Sequence, residues 1–313
     1  MVTITYTLER NTKLKLLRYI TSCCAVFILI LSSGCNNNTN KKEKELIILK
    51  DDLGREIKLT AKPKRVFALA SSMTEMLYAV LDTSTIIART PNDDYPEAVL
   101  NKPIVNNYPV DYEQILLLKP DLIFTMEGIT PLDVASRLEE LGIPVYYQKY
   151  TTVEDIFQGI EDIARIMGRV EQGQQLADSL RKEVAAISER YQHNQKPQQV
   201  LAITWKDPIY VFGQNTILTD KLRIVGAENA VKEIFDQPYP ALTREYILQL
   251  NPDLILGGTK DELEESFFSL YPELRKVNAY RQNRIYNPTD NLHTRPGPRV
   301  VESIKELEGF LYP

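Results

Sequence analysis

The sequence predicts an α/β protein made of two similar lobes with a cleft between them. A twelve-residue pattern occurs twice, 132 residues apart, as EQILLLKPDLIF at 113–124 and EYILQLNPDLIL at 245–256. Short apolar runs alternate with amphipathic helical segments, which is typical of parallel sheets covered on both faces. The most helical stretch of the chain lies between the two copies. Because a repeat of this period has the size of a domain, we expect one lobe for each copy.

Residues 1–34 have the pattern of a signal peptide. Four basic residues precede an apolar run at 19–31. As a helix this run would cover roughly 20 Å, which is short of the roughly 30 Å hydrocarbon core of a bilayer. The run ends in Ser-Ser-Gly-Cys, similar to the end of a bacterial lipoprotein signal, with Leu31 four rather than three residues before Cys35. We expect cleavage before Cys35 and lipidation of that cysteine.

Residues 35–45 are polar and lack periodicity, so we expect a flexible tether between the lipid and the folded body. Cys23 and Cys24 would leave with the signal peptide, and the mature chain would then hold no thiol beyond Cys35 and no disulfide. Loss of residues 1–34 would lower the formal net charge from −5 to −8. An acidic body with scattered basic residues is a poor partner for nucleic acid.

The N-terminal lobe is predicted at 46–150. Its strands and helices alternate, so we expect a parallel sheet, and Ser71-Ser72 is predicted to cap the first helix. In order, the predicted elements are short strands at 47–49 and 56–59, a buried strand at 65–70, a helix from 71, the helix and strand of the first repeat copy, a helix at 131–141 and a strand at 143–147.

A linking helical segment is predicted at 151–197. Thr151 and Glu154 have the spacing of a capping box at the start of its first helix. A second helix from about 170 to 191 would be roughly 33 Å long, enough to bridge two lobes. The C-terminal lobe, predicted at 198–313, begins with a strand at 200–204, contains the second repeat copy and closes with an amphipathic helix after Pro298.

Motifs of common enzyme classes are missing from the chain. There is no G-x-S-x-G, H-E-x-x-H, P-loop or G-x-G-x-x-G sequence, and the only histidines are His193 and His293. Ser71-Ser72 imitates a nucleophile elbow but lacks the flanking glycines. A lipid-anchored α/β hydrolase is therefore the less favoured alternative. A lipoprotein that only binds the surface of another protein is a third hypothesis, and it would need a large exposed apolar patch.

Several motifs occur together in one order: the lipoprotein-like signal, the two repeat copies, Leu-Gly-Ile-Pro-Val at 141–145, the linking segment and Arg-Pro-Gly-Pro-Arg at 295–299. In this combination the chain resembles, from about residue 46 to its end, the substrate-binding proteins of ABC importers for vitamin B12, haem and ferric siderophores. The resemblance implies two Rossmann-like lobes joined by one long rigid helix, with the ligand held between the lobes. It implies a monomeric, non-enzymatic, lipid-anchored periplasmic protein that delivers its ligand to a permease and its ATPase subunits.

The resemblance is greatest to the vitamin B12-binding branch, which makes cobalamin the expected ligand. Position by position, it implies ligand contacts at Tyr95, Met126, Tyr210 and Tyr239, and a polar contact from Asp290 to the corrin amides. The chain departs from that branch in having a single tryptophan, with Asn107 and Met126 where the branch often carries tryptophans.

In the same family one glutamate on each lobe docks with arginines of the permease, and the matching residues of this chain are Glu113 and Glu245. Haem and ferric siderophores remain alternative ligands, because a tyrosinate or His293 could ligate their iron. Anionic siderophores usually call for an arginine cluster, which only Arg295 and Arg299 suggest here.

Overall fold

The structure is a computed structural model that describes residues 46–313, and two mainly parallel sheets organise this part of the chain. The predicted signal peptide, the predicted lipidation site Cys35 and the predicted tether lie outside the described residues. Within 46–313, no helix combines the length and the apolar character that crossing a bilayer would require.

The N-terminal lobe contains a parallel sheet of three strands in the order β3-β4-β5, preceded by an antiparallel hairpin of β1 and β2. Helices connect the parallel strands, as crossover connections require. The elements are β1 (Ile47–Lys50), β2 (Glu56–Leu59), β3 (Val66–Ala68), α1 (Ser71–Val80), a 3₁₀ turn (Glu97–Asn101), α2 (Tyr112–Leu118), β4 (Leu122–Met126), α3 (Leu132–Glu140) and β5 (Val145–Gln148).

Two helices, α4 (Val153–Ile166) and α5 (Val170–Glu189), form the linking segment. The predicted capping box is wrong by one residue: Thr152 accepts from the backbone N–H of Asp155, whose carboxylate accepts from the Thr152 N–H. The two helices approach closely at Gly173, where a Cβ atom would lie 2.2 Å from that of Ala164. The long helix α5 is thus braced along its side by α4.

The C-terminal lobe contains a sheet of five strands in the order β10-β9-β6-β7, with β8 also paired to β6. Only β7 runs antiparallel to its neighbour. The elements are β6 (Gln199–Lys206), β7 (Ile209–Val211), α6 (Ile217–Ile224), β8 (Glu228–Asn229), α7 (Arg244–Leu250), β9 (Leu254–Leu256), α8 (Lys260–Leu270), a 3₁₀ turn (Pro272–Lys276), α9 (Asn278–Arg281), β10 (Ile285–Tyr286), α10 (Asp290–His293) and α11 (Val300–Leu311).

The two repeat copies fold alike. Helices α2 and α7 each have seven residues, and the N-cap side chains of Asp111 and Thr243 each accept a backbone N–H of the first turn. Both helices end in a left-handed residue, Lys119 with φ 48° and Asn251 with φ 44°. A proline follows each of these residues and cannot continue a helix, so the chain turns directly into β4 or β9.

The core is continuous between the lobes because alternate strand residues face opposite sides of each sheet. Leu122 and Phe124 of β4, and Val200 and Ala202 of β6, belong to one apolar cluster that also contains the buried faces of α4 and α5. The intervening Ile123 and the corresponding residues of β6 face separate outer clusters. Each sheet is therefore covered on both faces. The predicted fold class, two parallel-sheet lobes joined by a helical link, is confirmed, and the predicted domain boundaries stay predictions.

Candidate functional site: a cleft between the lobes

A cavity of about 910 Å³ lies between the two lobes. Its volume falls in the range of small-molecule sites, and it lies beyond the carboxyl ends of the parallel strands, where α/β sheets bind ligands. The N-terminal lobe contributes Met126, Glu127, Gly128, Ile129, Lys149, Tyr150 and Thr151. The C-terminal lobe contributes Thr204, Trp205, Tyr210, Phe212, Asn215, Thr216, Ile217, Asp236, Pro238, Tyr239, His293, Thr294 and Pro296.

The wall formed by the C-terminal lobe is aromatic. Tyr210 and Phe212 project to the cavity because they alternate with the buried Ile209 and Val211 on and beside β7. Tyr239 meets Phe212 edge to face, with ring centroids 5.3 Å apart. Trp205 on β6 pairs with Tyr210 across the hairpin and lines the same wall. These rings offer a broad surface for a large planar or apolar ligand.

The opposite wall carries Met126 and Tyr150. Ser72 donates its hydroxyl to the Met126 sulfur at 3.0 Å, and α1 begins at Ser71 with Ala70 as its N-cap residue and no side-chain cap, so the predicted capping role of the serine pair is wrong. The Tyr150 hydroxyl bonds to the Gln148 side chain and lies 3.3 Å from the Met73 sulfur. Burial raises the pKa of Tyr150 well above its usual value, so this side chain stays a neutral phenol.

The charged residues of the lining are Glu127, Lys149 and Asp236. Lys149 Nζ lies 2.9 Å from Glu127 Oε2, so its charge is compensated within the wall. Among the lining residues that the structure describes, no cation remains without a carboxylate partner, and Asp236 leaves the lining slightly acidic. The cavity therefore offers no free guanidinium or ammonium group to an anionic ligand.

A polar chain runs from the lining residue His293 into the C-terminal lobe. The buried Lys221 donates to Ser303 Oγ at 2.9 Å, Ser303 donates to His293 Nδ1 at 3.2 Å, and His293 Nε2 donates to Glu306 at 2.5 Å. Burial lowers the pKa of Lys221 to about 7, and burial together with the Lys221 charge lowers that of His293 to about 4. A neutral imidazole fits these donor directions. Both ring nitrogens of His293 are therefore occupied by protein partners.

A second polar cluster ties the lobes together beside the cavity. The Glu75 carboxylate on α1 is 2% exposed and accepts from Arg299 at 2.6 and 2.8 Å and from Arg295 at 3.3 Å. Arg295 also pairs with Asp94 at 2.5 Å. We call this set the Glu75 cluster. The two arginines that the sequence suggested for oxyanion binding are thus engaged by carboxylates of the other lobe.

The structure brings three of the five predicted ligand contacts, Met126, Tyr210 and Tyr239, into the cavity lining. Tyr95 lies outside the lining, with the Arg299 guanidinium 4.2 Å from its ring centroid. Asp290 also lies outside it, at the start of α10, where its carbonyl accepts from Thr294. The two docking candidates Glu113 and Glu245 occupy the same position, the second residue, of α2 and α7.

Sequence reasoning missed Tyr150, Trp205 and Phe212. Trp205 and Phe212 flank Asp207-Pro208 in an alternating stretch, TWKDPIYVF at 204–212, which is a hairpin signal. Tyr150 closely follows β5, at the carboxyl edge where ligand residues are expected. Within 46–313, no group of three or more His, Cys, Asp or Glu side chains is arranged to hold a metal ion.

Comparison with known proteins agrees with this geometry. The family profile described as periplasmic binding protein matches residues 66–292. An uncharacterised ABC transporter substrate-binding lipoprotein of Bacillus subtilis, YvrC, is 28% identical over 273 residues, 85% of this chain and 86% of the relative. The vitamin B12-binding protein of Vibrio parahaemolyticus is 26% identical over 78% of this chain and 88% of its own length.

Solved structures of the same architecture have different reported ligands. A possible iron-binding protein of Staphylococcus epidermidis matches with TM-score 0.72 and 26% identity over 81% of this chain and all of that chain. The vitamin B12-binding protein of Vibrio cholerae matches with TM-score 0.70 and 23% identity over 80% and 97%. A haem-binding protein of Roseiflexus matches with TM-score 0.69 and 23% identity over 80% and 98%.

The chain belongs to the periplasmic binding protein family, since the profile match covers more than half of its length. This confirms the membership recognised in the sequence, and the relatives named above, an ABC transporter substrate-binding lipoprotein and a vitamin B12-binding protein, agree with it. It also confirms that the chain is a binding protein and not an enzyme.

Proposed function

We propose that the chain is the substrate-binding lipoprotein of an ABC importer and that its ligand is cobalamin or a closely related corrinoid. The observation that carries the choice of ligand is the cavity lining: it is broad and aromatic on one wall, it contains four threonines and one asparagine, and it has no uncompensated cation among the described residues. A corrin ring is large and flat, and its rim carries neutral amides. Aromatic rings suit its faces, and hydroxyl and amide side chains suit its rim.

The alternative ligands fit this lining less well. Haem carries propionates, and many ferric siderophore complexes are anionic, so both gain from arginine or lysine in the site. Here Lys149 is paired with Glu127, and Arg295 and Arg299 are engaged by Glu75. Both nitrogens of His293 already have partners, which argues against this imidazole as an iron ligand.

Calorimetric titration of soluble residues 36–313 with cyanocobalamin tests the ligand. We expect a one-to-one site of micromolar affinity or tighter, and weaker binding of haemin and of a ferric catecholate. Tyr239→Ala should weaken cyanocobalamin binding by about tenfold, because it removes a ring from the aromatic wall. Tyr108→Ala is the matched control, since this tyrosine is exposed and outside the lining. Tight haemin binding without cyanocobalamin binding would transfer the proposal to haem.

We further propose that Glu113 and Glu245 dock the protein on its permease. Support comes from their equivalent positions on the solvent side of the two repeat helices. Carboxylates on both lobes give a two-point electrostatic fit that orients the complex more than it adds affinity. The double variant Glu113→Ala, Glu245→Ala should bind ligand normally and abolish uptake in cells. Normal uptake by this variant would refute the docking role.

For location, we propose attachment to a membrane of the cell envelope through lipid on Cys35, with the folded body on the periplasmic or outer side. The lipoprotein-like end of the signal supports this, and so does the lipoprotein named among the relatives. We propose a monomer whose partners are the permease and its ATPase subunits.

A further inference from the structure

The two repeat helices present different faces to solvent although they fold alike. Residues three and four positions apart share one face of a helix. Glu113, Leu116 and Leu117 therefore form one face of α2, which we call the α2 face. In α7 the corresponding positions are Glu245, Leu248 and Gln249. The repeat thus permits a position-by-position comparison of the two proposed docking sites.

The α2 face exposes two leucines beside its carboxylate. Leu117 is 80% exposed, and Leu116 is also exposed. The loop that leads into the helix carries Tyr108, which is 95% exposed. In α7, Leu248 is half-buried, and the exposed residue at the position of Leu117 is the polar Gln249. Exposed leucines and a tyrosine gathered around one short helix are typical of an interaction surface.

The two glutamates also differ in charge compensation. Glu245 Oε1 lies 3.0 Å from Arg244 Nε, and Arg244 lies 3.1 Å from Glu273 on the neighbouring turn. A backbone N–H at the helix start and the Arg244 side chain lower the pKa of Glu245. Glu113 is exposed, and none of the ion pairs found within 46–313 includes it. Its negative charge is therefore available to a partner, whereas that of Glu245 is already shared.

We propose that docking is asymmetric: the α2 face supplies the dominant contact with the permease and receives a segment in which an arginine or lysine is flanked by aliphatic side chains. This inference rests on the proposed function, because the occupant is the permease. The unpaired Glu113 attracts the basic group, and Leu116 and Leu117 cover the aliphatic side chains beside it. The α7 face makes the weaker contact, because a basic group arriving at Glu245 must compete with Arg244.

Single substitutions test the asymmetry in cells that lack the natural copy of the gene. Glu113→Gln and Leu117→Gln should each lower uptake of radiolabelled cyanocobalamin by about tenfold, equivalent to the loss of one strong contact. Glu245→Gln should cause a smaller loss of uptake, about threefold, because Arg244 already shares the charge of Glu245. Leu270→Gln is the matched control, because this leucine is exposed at the end of α8, and it should leave uptake unchanged. Equal losses for Glu113→Gln and Glu245→Gln would overturn the proposal.

A second measurement does not depend on the ligand. A photoreactive benzophenone side chain is placed at position 117 or at position 249 of the full chain, in membranes of the host. We expect several-fold more adduct with a multi-spanning membrane subunit from position 117, and less of this adduct when Glu113→Gln is added. Equal yields from the two positions, or adducts from position 117 with lipid alone, would overturn the proposal.

The two measurements separate this inference from the proposed ligand. A charge-dependent adduct from position 117 in a protein that fails to bind cyanocobalamin would refute the ligand and support the asymmetric docking. Cyanocobalamin binding without an adduct from position 117 would support the ligand and refute the asymmetric docking.

Discussion

Replacing Glu75 by glutamine should destabilise the protein strongly. The carboxylate is 2% exposed and accepts three hydrogen bonds from two guanidinium groups, at 2.6, 2.8 and 3.3 Å. The amide keeps the volume of the side chain but removes the charge that compensates Arg295 and Arg299. Removing one partner of a buried ion pair costs about 3–5 kcal/mol, and the amide retains one acceptor, so we expect a loss of about 3 kcal/mol.

Urea unfolding followed by far-ultraviolet circular dichroism measures this loss. The matched control is Glu140→Gln, which removes an exposed carboxylate paired with Arg137 and should change stability by less than about 0.5 kcal/mol. Arg299→Gln should also destabilise the protein, and the double variant with Glu75→Gln should lose less than the sum of the two single losses. A loss below about 1 kcal/mol for Glu75→Gln would refute the assigned role of the Glu75 cluster.

Three further outcomes are expected. The pKa of His293 falls from 6.5 in the unfolded chain to about 4 in the folded protein. The free energy of unfolding should therefore fall by about 3 kcal/mol through His293 as the pH is lowered from about 6.5 to 4, because the unfolded chain binds this proton and the folded protein does not. Urea unfolding along a pH series should show a smaller fall in His293→Gln. Gly173→Ala forces a methyl group against Ala164 and should lower the free energy of unfolding by about 1–3 kcal/mol. Gly309→Ala places its methyl group in open space on a helix and should raise the free energy of unfolding by up to about 1 kcal/mol. Equal effects of the two substitutions in thermal unfolding would contradict this packing. Cys35→Ala should release the protein from the membrane fraction, and retention of the variant would contradict lipid anchoring at this residue.

Local patterns predicted the fold well, because each element carries its own signal. The two repeat copies end their helices before a proline and enter buried strands, and both features are visible in the sequence. The apolar face of α4, with Ile156 and Ile160, is buried as its spacing predicts. The cap of the same helix was predicted one residue early, because Thr151 and Thr152 are both followed three residues later by an acidic residue.

The site was predictable only in part. Met126, Tyr210 and Tyr239 follow from the family resemblance and line the cavity. Tyr95 was also implied by the resemblance, but it lies outside the cavity lining. Its ring instead contacts Arg299, 204 positions further along the chain. Pairings of this range depend on how the two lobes meet, and no spacing within a lobe reveals them. The neutralisation of Lys149 by Glu127 was hidden for a different reason: the pair joins the ends of two neighbouring strands of one lobe, and the pairing of those strands is not visible in the sequence.

The chain contains one tryptophan, and Trp205 lies in the cavity wall, 63% exposed, with its indole N–H donated to the Asp207 carbonyl at 2.8 Å. All tryptophan emission of the protein therefore originates at one side of the ligand site. A corrinoid or haem absorbs light, so a ligand held against this ring would quench the emission by energy transfer, and a colourless ligand would shift it to shorter wavelength by displacing water. The unlabelled protein thus carries a built-in optical reporter of occupancy, through which ligands can be screened without dyes or engineered probes.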